Sequence, residues 1–300
     1  MIDLLQASIR RREGMAVSQG GETDALRLID GIGDRLPGIE LESFADRWLV
    51  STRDTHIPGP MVAWLRDSGH PVYHKRLDQH QKESPAHLCG PEVPEAFAIL
   101  ENGIRYEISF QSGYSQGIFL DQRDNRLALR QRLGEGARLL NTFAYTGAFS
   151  VAAAVHGAVT TTLDLSQPYL DWAKRNLELN GIDPALHHFC KGDTFHWLAR
   201  FAKQGRVFDA IVLDPPTFSR DKDGKVFRVE RDYGRLAHLA SRCLAPGGVL
   251  LASTNCRQLS LAEFERQIRE AIPRSRSIKP RPMPPDFTAP PYLKALWVET

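Results

Sequence analysis

Between residues 137 and 219, short apolar runs alternate with helix-like stretches, and three of the runs lead into an acid: Asp164, Asp193 and Asp214. No other feature constrains the fold as tightly. A strand followed by a helix returns to the same sheet as a parallel neighbour. The spacing predicts strands at 139–143, 159–165, 187–191, 210–213 and 249–253. It predicts helices at 148–155, 167–180, 194–202, 231–244 and 261–271, with two strands to finish. That is a doubly wound, Rossmann-like α/β sheet. A parallel sheet holds its ligand at the carboxyl ends of its strands, so the three acids should line one crevice.

The earlier part reads differently. Residues 3–14 form a short helix with Leu4, Leu5 and Ile9 on one face, and Arg10, Arg11 and Arg12 read as solvated. Residues 21–108 make a small α+β region and a possible RNA contact. Trp48-Leu49-Val50 is a strand, a helix covers 61–68, and 96–110 alternates as a hairpin does. His74, Lys75 and Arg76 read as a solvated edge, with nucleic-acid contact as the alternative. A helix at 121–133 then opens the main domain, 109–300, with Arg123, Arg126 and Arg130 at helical spacing.

Composition narrows the class. Hydrophobic residues make up 42% and charged residues 25%, enough to bury a core in a water-soluble chain. The net charge of +2 leaves both RNA and small molecules open as partners. Cys89, Cys190, Cys243 and Cys256 form no Cys-x-x-Cys pair, which argues against a zinc site and for a reducing cytoplasm. No run is long enough to span a membrane. The apolar start, Met1 to Leu5, precedes its arginines, the reverse of a signal peptide.

The turn after the first predicted strand decides the cofactor. A dinucleotide site needs Gly-x-Gly-x-x-Gly there so that backbone can approach a pyrophosphate. This chain has Asn141-Thr-Phe-Ala-Tyr-Thr-Gly147, with a single glycine. S-adenosylmethionine, which carries no phosphate, fits better than a nicotinamide dinucleotide. Asp164 can accept from both ribose hydroxyls, or be an ordinary polar strand end. Asp193 can accept from the adenine amino group, or cap the helix that follows. Asp214-Pro215-Pro216-Thr217 is a rigid polar corner suited to a planar base, and Phe218 can stack on that base.

Together Asn141-x-Phe-x-Tyr-Thr-Gly-x-Phe149, Asp164-Leu-Ser166, Trp172-Ala-Lys-Arg-Asn-Leu177, Asn180-Gly181, Asp214-Pro-Pro-Thr-Phe218 and Phe119-Leu-Asp-Gln-Arg123 resemble the class I S-adenosylmethionine-dependent methyltransferases of bacterial large-subunit ribosomal RNA. The resemblance covers nearly the whole chain. It implies a seven-stranded sheet, a small preceding domain and S-adenosylmethionine as cofactor. The expected cofactor site is Asn141, Phe143, Ala144, Tyr145, Thr146 and Gly147, with Asp164, Leu165 and Ser166. Gly192, Asp193, Thr194, Asp214 and Pro215 extend it, and Gln122 and Arg126 complete it.

Two branches of the group differ in chemistry. One methylates carbon 5 of cytosine, the other nitrogen 7 of guanine. Thr217-Phe218-Ser219 and residues 169–181 resemble the guanine branch. Ser253-Thr-Asn-Cys256-Arg-Gln-Leu259 resembles the cytosine branch, without that branch's N-terminal PUA module. Carbon 5 is a poor nucleophile, and a thiolate adding to carbon 6 makes it reactive. Cys256 is therefore a candidate nucleophile with Asp214 orienting the base, and the cytosine reading is preferred on that ground. Its other reading is a small buried residue. Large-subunit ribosomal RNA is the expected partner, and an RNA-binding protein that keeps the fold without the chemistry is the rival. Oligomeric state is open.

Overall fold

The computed structural model describes residues 1–18, 21–53, 56–77, 83–220 and 226–300. The chain divides into two compact units. The first comprises Met1–Arg123 and Pro284–Pro291, and the second Asp124–Met283 and Tyr292–Thr300. The stretch 109–123, expected in the main domain, thus groups with the first unit.

In the first unit, strands Ala25–Asp30, Ile39–Phe44, Arg47–Thr52, Val72–Arg76 and Ala86–Cys89 form one sheet in that order. The expected hairpin is present as Phe97–Glu101 paired antiparallel with Ile104–Ile108. Helices Ile2–Arg12 and Gly59–Asp67 put Leu5, Met61 and Leu65 onto Ile29, Leu41, Val50 and Val72. Two charge readings change. Arg12 is buried, and its guanidinium donates to both carboxylate oxygens of Asp34 at 2.9 and 2.8 Å and to the Asp286 carbonyl. Lys75 is half-buried and donates to Gln116 Oε1 at 3.1 Å, so it is no solvated edge.

The second unit holds the alternating pattern. Its strands are β1 (Arg138–Thr142), β2 (Val159–Asp164), β3 (His188–Lys191), β4 (Phe208–Leu213), β5 (Leu244–Thr254), β6 (Ser277–Arg281) and β7 (Lys294–Glu299). The helix Arg123–Arg132 leads into it, and the helices after its first strand are α1 (Ala148–Ala154), α2 (Gln167–Glu178), α3 (Thr194–Lys203), α4 (Val229–Ser241) and α5 (Leu261–Ala271). The seven strands lie in the order β3-β2-β1-β4-β5-β7-β6. β1 to β5 pair in parallel, and β7 runs antiparallel to both its neighbours.

Period-two alternation sends successive side chains to opposite faces. Leu140, Ile211, Leu213, Leu250 and Ala252 enter one apolar cluster, and Leu139, Ala210, Val212, Val249 and Leu251 the other. Both faces are covered, which is why these strands read as unbroken apolar runs. The 214–230 stretch, expected as loop, contains a short ribbon of Phe218–Arg220 with Val226–Arg228. The chain leaves β1 for β2 on one side and later returns to place β4 on the other. This reversal opens a crevice at the carboxyl ends. Register brings those ends to one rim, with Thr142 opposite Leu163 and Leu213, and Leu213 opposite Ala252. Among the described residues, no helix is long and apolar enough to cross a membrane.

Candidate active site

The turn leaving β1 has an unusual backbone. Phe143, Tyr145 and Gly147 alternate at φ of 51°, 51° and 76°. A side chain in this left-handed region costs roughly 1–2 kcal/mol, so the surroundings must hold the shape. The Ala144 amide donates to the Leu163 carbonyl at 3.1 Å and the Gly147 amide to Ala144 at 2.9 Å. Asn176, buried on α2, donates to the Thr146 carbonyl at 3.0 Å. Tyr145 packs edge-on against Tyr169, with centroids 4.6 Å apart. At Gly147 a Cβ would lie 2.6 Å from that of Ala173, so glycine permits both the turn and the approach of α1 to α2. The left-handed positions recur at the alternate spacing of Gly-x-Gly, but two of them carry aromatic rings.

Asp164 closes the same turn from the tip of β2. Its Oδ2 accepts from the Tyr145 amide at 2.8 Å and its Oδ1 from the Ser166 amide at 2.9 Å. Burial pushes its carboxyl above the ordinary range, opposed by the backbone amides of Ser166, Tyr145 and Leu165. Two carboxylate oxygens offer more acceptor positions than these amides fill, which leaves capacity for a ribose hydroxyl. Leu165, next in the chain, is 54% exposed, an apolar surface beside the carboxylate. This donor set and apolar shelf fit an adenosyl group.

The remaining expected residues are distributed as follows. Asp193 Oδ1 accepts from the His196 amide at 2.9 Å and so caps α3. Thr194 is buried at the start of that helix, and Gly192 takes φ 144° where a Cβ would stand 2.9 Å from the Trp197 indole nitrogen. Asn141 is buried and donates to Ser150 Oγ at 3.0 Å, a role in joining β1 to α1. Arg126 is buried with its guanidinium 5.7 Å from the centre of the Phe149 ring. Gln122 is buried in the first unit.

At the carboxyl end of β4, Asp214 is half-buried and Pro215 is buried beneath it. Ser253, fully buried near the end of β5, donates to Asp214 Oδ1 at 2.8 Å. The buried Tyr233 hydroxyl of α4 points at the carbonyls of Leu213, 2.9 Å away, and Ser253, 3.1 Å away. Burial first, and then the Asp214 charge, push that phenol well above its ordinary range, so it stays a donor. Thr217 Oγ1 donates to Asn255 Oδ1 at 2.8 Å, a second tie between the two strand ends. Phe218 is 49% exposed with the Arg228 guanidinium 5.3 Å from its ring centre. Sequence reasoning missed Ser253, Tyr233 and the role of Asn176. Asn176 and Ser253 had a local signal, their places in Trp172-Ala-Lys-Arg-Asn-Leu177 and Ser253-Thr-Asn-Cys256, whereas Tyr233 had none.

Cys256 lies in the main apolar cluster with 1% of its surface exposed. Its thiol donates to Glu230 Oε1 at 3.1 Å. Burial and that bond push the thiol above its ordinary range against the backbone amides of Gln258 and Leu259, which lower it, and the balance favours the protonated form. Glu230 is held below the ordinary range by its own backbone amide and by the thiol. A nucleophilic cysteine needs a neighbour that stabilises thiolate, and a carboxylate does the reverse. The packing is that of the alternative reading, a small buried residue.

Comparisons with known proteins identify the family. Residues 57–297 match the family model for S-adenosylmethionine-dependent methyltransferase. "Ribosomal RNA large subunit methyltransferase K" of Neisseria meningitidis is 38% identical over 250 residues, covering 78% of this chain and 67% of the relative. "Ribosomal RNA large subunit methyltransferase I" of Klebsiella pneumoniae is 34% identical over 259 residues, covering 83% of this chain and 64% of the relative. The chain thus spans about two thirds of the length of these relatives. A methyltransferase-like crystal structure complexed with S-adenosylhomocysteine superposes with a TM-score of 0.86 at 32% identity, over 100% of this chain and 80% of the other. On sequence and fold, the chain belongs to the S-adenosylmethionine-dependent methyltransferases.

Proposed function

We propose that this enzyme methylates a base of large-subunit ribosomal RNA, and that the acceptor is a ring nitrogen, nitrogen 7 of guanine. The RNA assignment is supported by the names of the two relatives and by the open polar corner after β4. The choice of nitrogen rests on one observation: the thiol nearest the corner is buried and bonded to a carboxylate. This departs from the preference for cytosine carbon 5 that the sequence suggested.

S-adenosylmethionine supplies a sulfonium methyl, and the departing sulfur keeps the bonding pair. Asp164 holds the ribose, and the 143–147 turn fixes the surrounding backbone. Asp214, oriented by Ser253, accepts from N–H groups of the target base and holds it in plane. Nitrogen 7 already carries a lone pair and no proton, so the site needs neither a nucleophile nor a general base. Positioning is then the main contribution of the protein.

The test is transfer of labelled methyl to ribosomal RNA from cells lacking the enzyme, followed by nucleoside mass spectrometry. Label in 7-methylguanosine is expected. Label in 5-methylcytidine would overturn the choice of base. An unlabelled RNA at saturating donor would instead point to an RNA-binding protein that retains the fold.

A further inference from the structure

We infer that Asn255 reads the target base, as a donor to the carbonyl oxygen beside the nitrogen that is methylated. The inference rests on the proposed guanine acceptor and deepens it. Asn255 is the first residue beyond β5 and is exposed, while Thr254 and Cys256 on either side are buried. An exposed polar side chain between two buried neighbours is common. Here, however, the backbone beneath it is fixed from several directions. The Cys256 amide donates to Thr254 Oγ1 at 3.1 Å, closing a tight turn under Asn255. Lys294 of β7 donates to the Cys256 carbonyl at 2.9 Å. The Cys256 thiol is anchored on Glu230 at 3.1 Å. Cys256 thereby acquires a role without chemistry, holding the preceding residue, Asn255, in place.

The side chain is fixed as well. Thr217 donates to Asn255 Oδ1, so the acceptor end of the amide is engaged and Nδ2 is the donor it offers. Thr217 belongs to the same corner as Asp214. Ser253 and Asn255 are two apart in the chain, and each is tied to that corner, one at Asp214 and the other at Thr217. The rim therefore presents a carboxylate acceptor and an amide donor side by side. Guanine offers a carbonyl next to nitrogen 7 and N–H groups beyond it. Adenine has an amino group where guanine has that carbonyl, and it would set donor against donor. Asn255 is thus a specificity residue, and Thr217 is its positioning residue.

The test compares wild type with Asn255→Ala, Asn255→Asp, Thr217→Val and Thr217→Ser on the same ribosomal RNA. A hydrogen bond of this kind is worth roughly tenfold, so kcat/KM for RNA should fall about tenfold in Asn255→Ala. Asn255→Asp should fall further, because an acceptor then faces a carbonyl. Thr217→Val should lower kcat/KM, and Thr217→Ser should restore it. S-adenosylmethionine affinity by calorimetry and the melting temperature should stay at wild-type values in all four. If Asn255→Ala transfers to guanine as fast as wild type, this inference fails and the proposed function stands. If wild type labels a base other than guanine, both fail.

Discussion

Asp164 carries the most direct residue-scale expectation. Its oxygens accept backbone amides, those of Tyr145 and Ser166 at 2.8 and 2.9 Å, and keep acceptor capacity for a ligand hydroxyl. Asp164→Ala should weaken S-adenosylmethionine binding by at least about tenfold, the loss of a bond to a charged acceptor. Burial raises its carboxyl above the ordinary aspartate range. The charged form does the accepting, so affinity should be full above the raised value and fall as the pH drops through it. That window lies higher than for an exposed aspartate, and the fall should be absent in Asp164→Asn. Calorimetry across acid pH checks both points. Gly147 makes a different demand, because its φ of 76° and the 2.6 Å approach to Ala173 both exclude a side chain. Gly147→Ala should cost about 2–4 kcal/mol by denaturant unfolding, from left-handed strain and overpacking. Asp164 and Gly147 were legible in the sequence because each sits at a fixed offset from a strand. The state of Cys256 was not, because its partner Glu230 is 26 residues away on α4.

At the scale of elements, the ends of β4 and β5 are tied by Ser253 to Asp214 and by Thr217 to Asn255. Removing the first tie, in Ser253→Ala, should lower kcat about tenfold with little change in S-adenosylmethionine affinity, since Asp214 loses an orienting donor. The strands themselves were readable because both faces of the sheet are buried, as at Ala210-Ile211-Val212-Leu213. Their lateral order was not, since β7 inserts between β5 and β6 through pairings that no local pattern encodes. The helix Ile2–Arg12 shows the same limit. Its arginines looked like a solvated run, yet Arg12 is buried against Asp34, 22 residues on. Burial raises the Asp34 carboxyl, but its bond to Arg12, together with the Asp30 amide, the Arg12 charge and Ser8, more than reverses this and holds it below the ordinary range. Its contribution to stability is therefore present above that range and lost as the pH falls through the lowered value. Arg12→Met removes the buried partner and leaves Asp34 only the half-exposed Arg11 as a counter-charge, 3.1 Å away; it should cost about 3 kcal/mol at neutral pH, the low end for breaking a buried pair, read from the denaturant midpoint.

For the whole molecule, the class of fold and the cofactor followed from alternation and from one turn. The division of the chain did not, because residues 284–291 belong to the first unit although the rest of it ends at Arg123, 163 residues before Asp286. There Asp286, fully buried, accepts from the Arg123 guanidinium and from the Arg27 amide at 2.8 Å. Such a return is invisible to any local window. The chemistry assigned to the molecule turns on how the methyl reaches its base. A direct transfer uses Asp164, Asp214 and Asn255 and gives the thiol no chemical step, only its anchoring bond to Glu230. A covalent route requires the thiol and would ionise it beside Glu230. Cys256→Ala, assayed for methyl transfer to ribosomal RNA, decides between them. The direct route predicts a rate within a few-fold of wild type, with no covalent adduct to 5-fluorocytosine RNA in the unmutated enzyme. Abolished transfer at unchanged S-adenosylmethionine affinity, together with a trapped adduct in wild type, would contradict it.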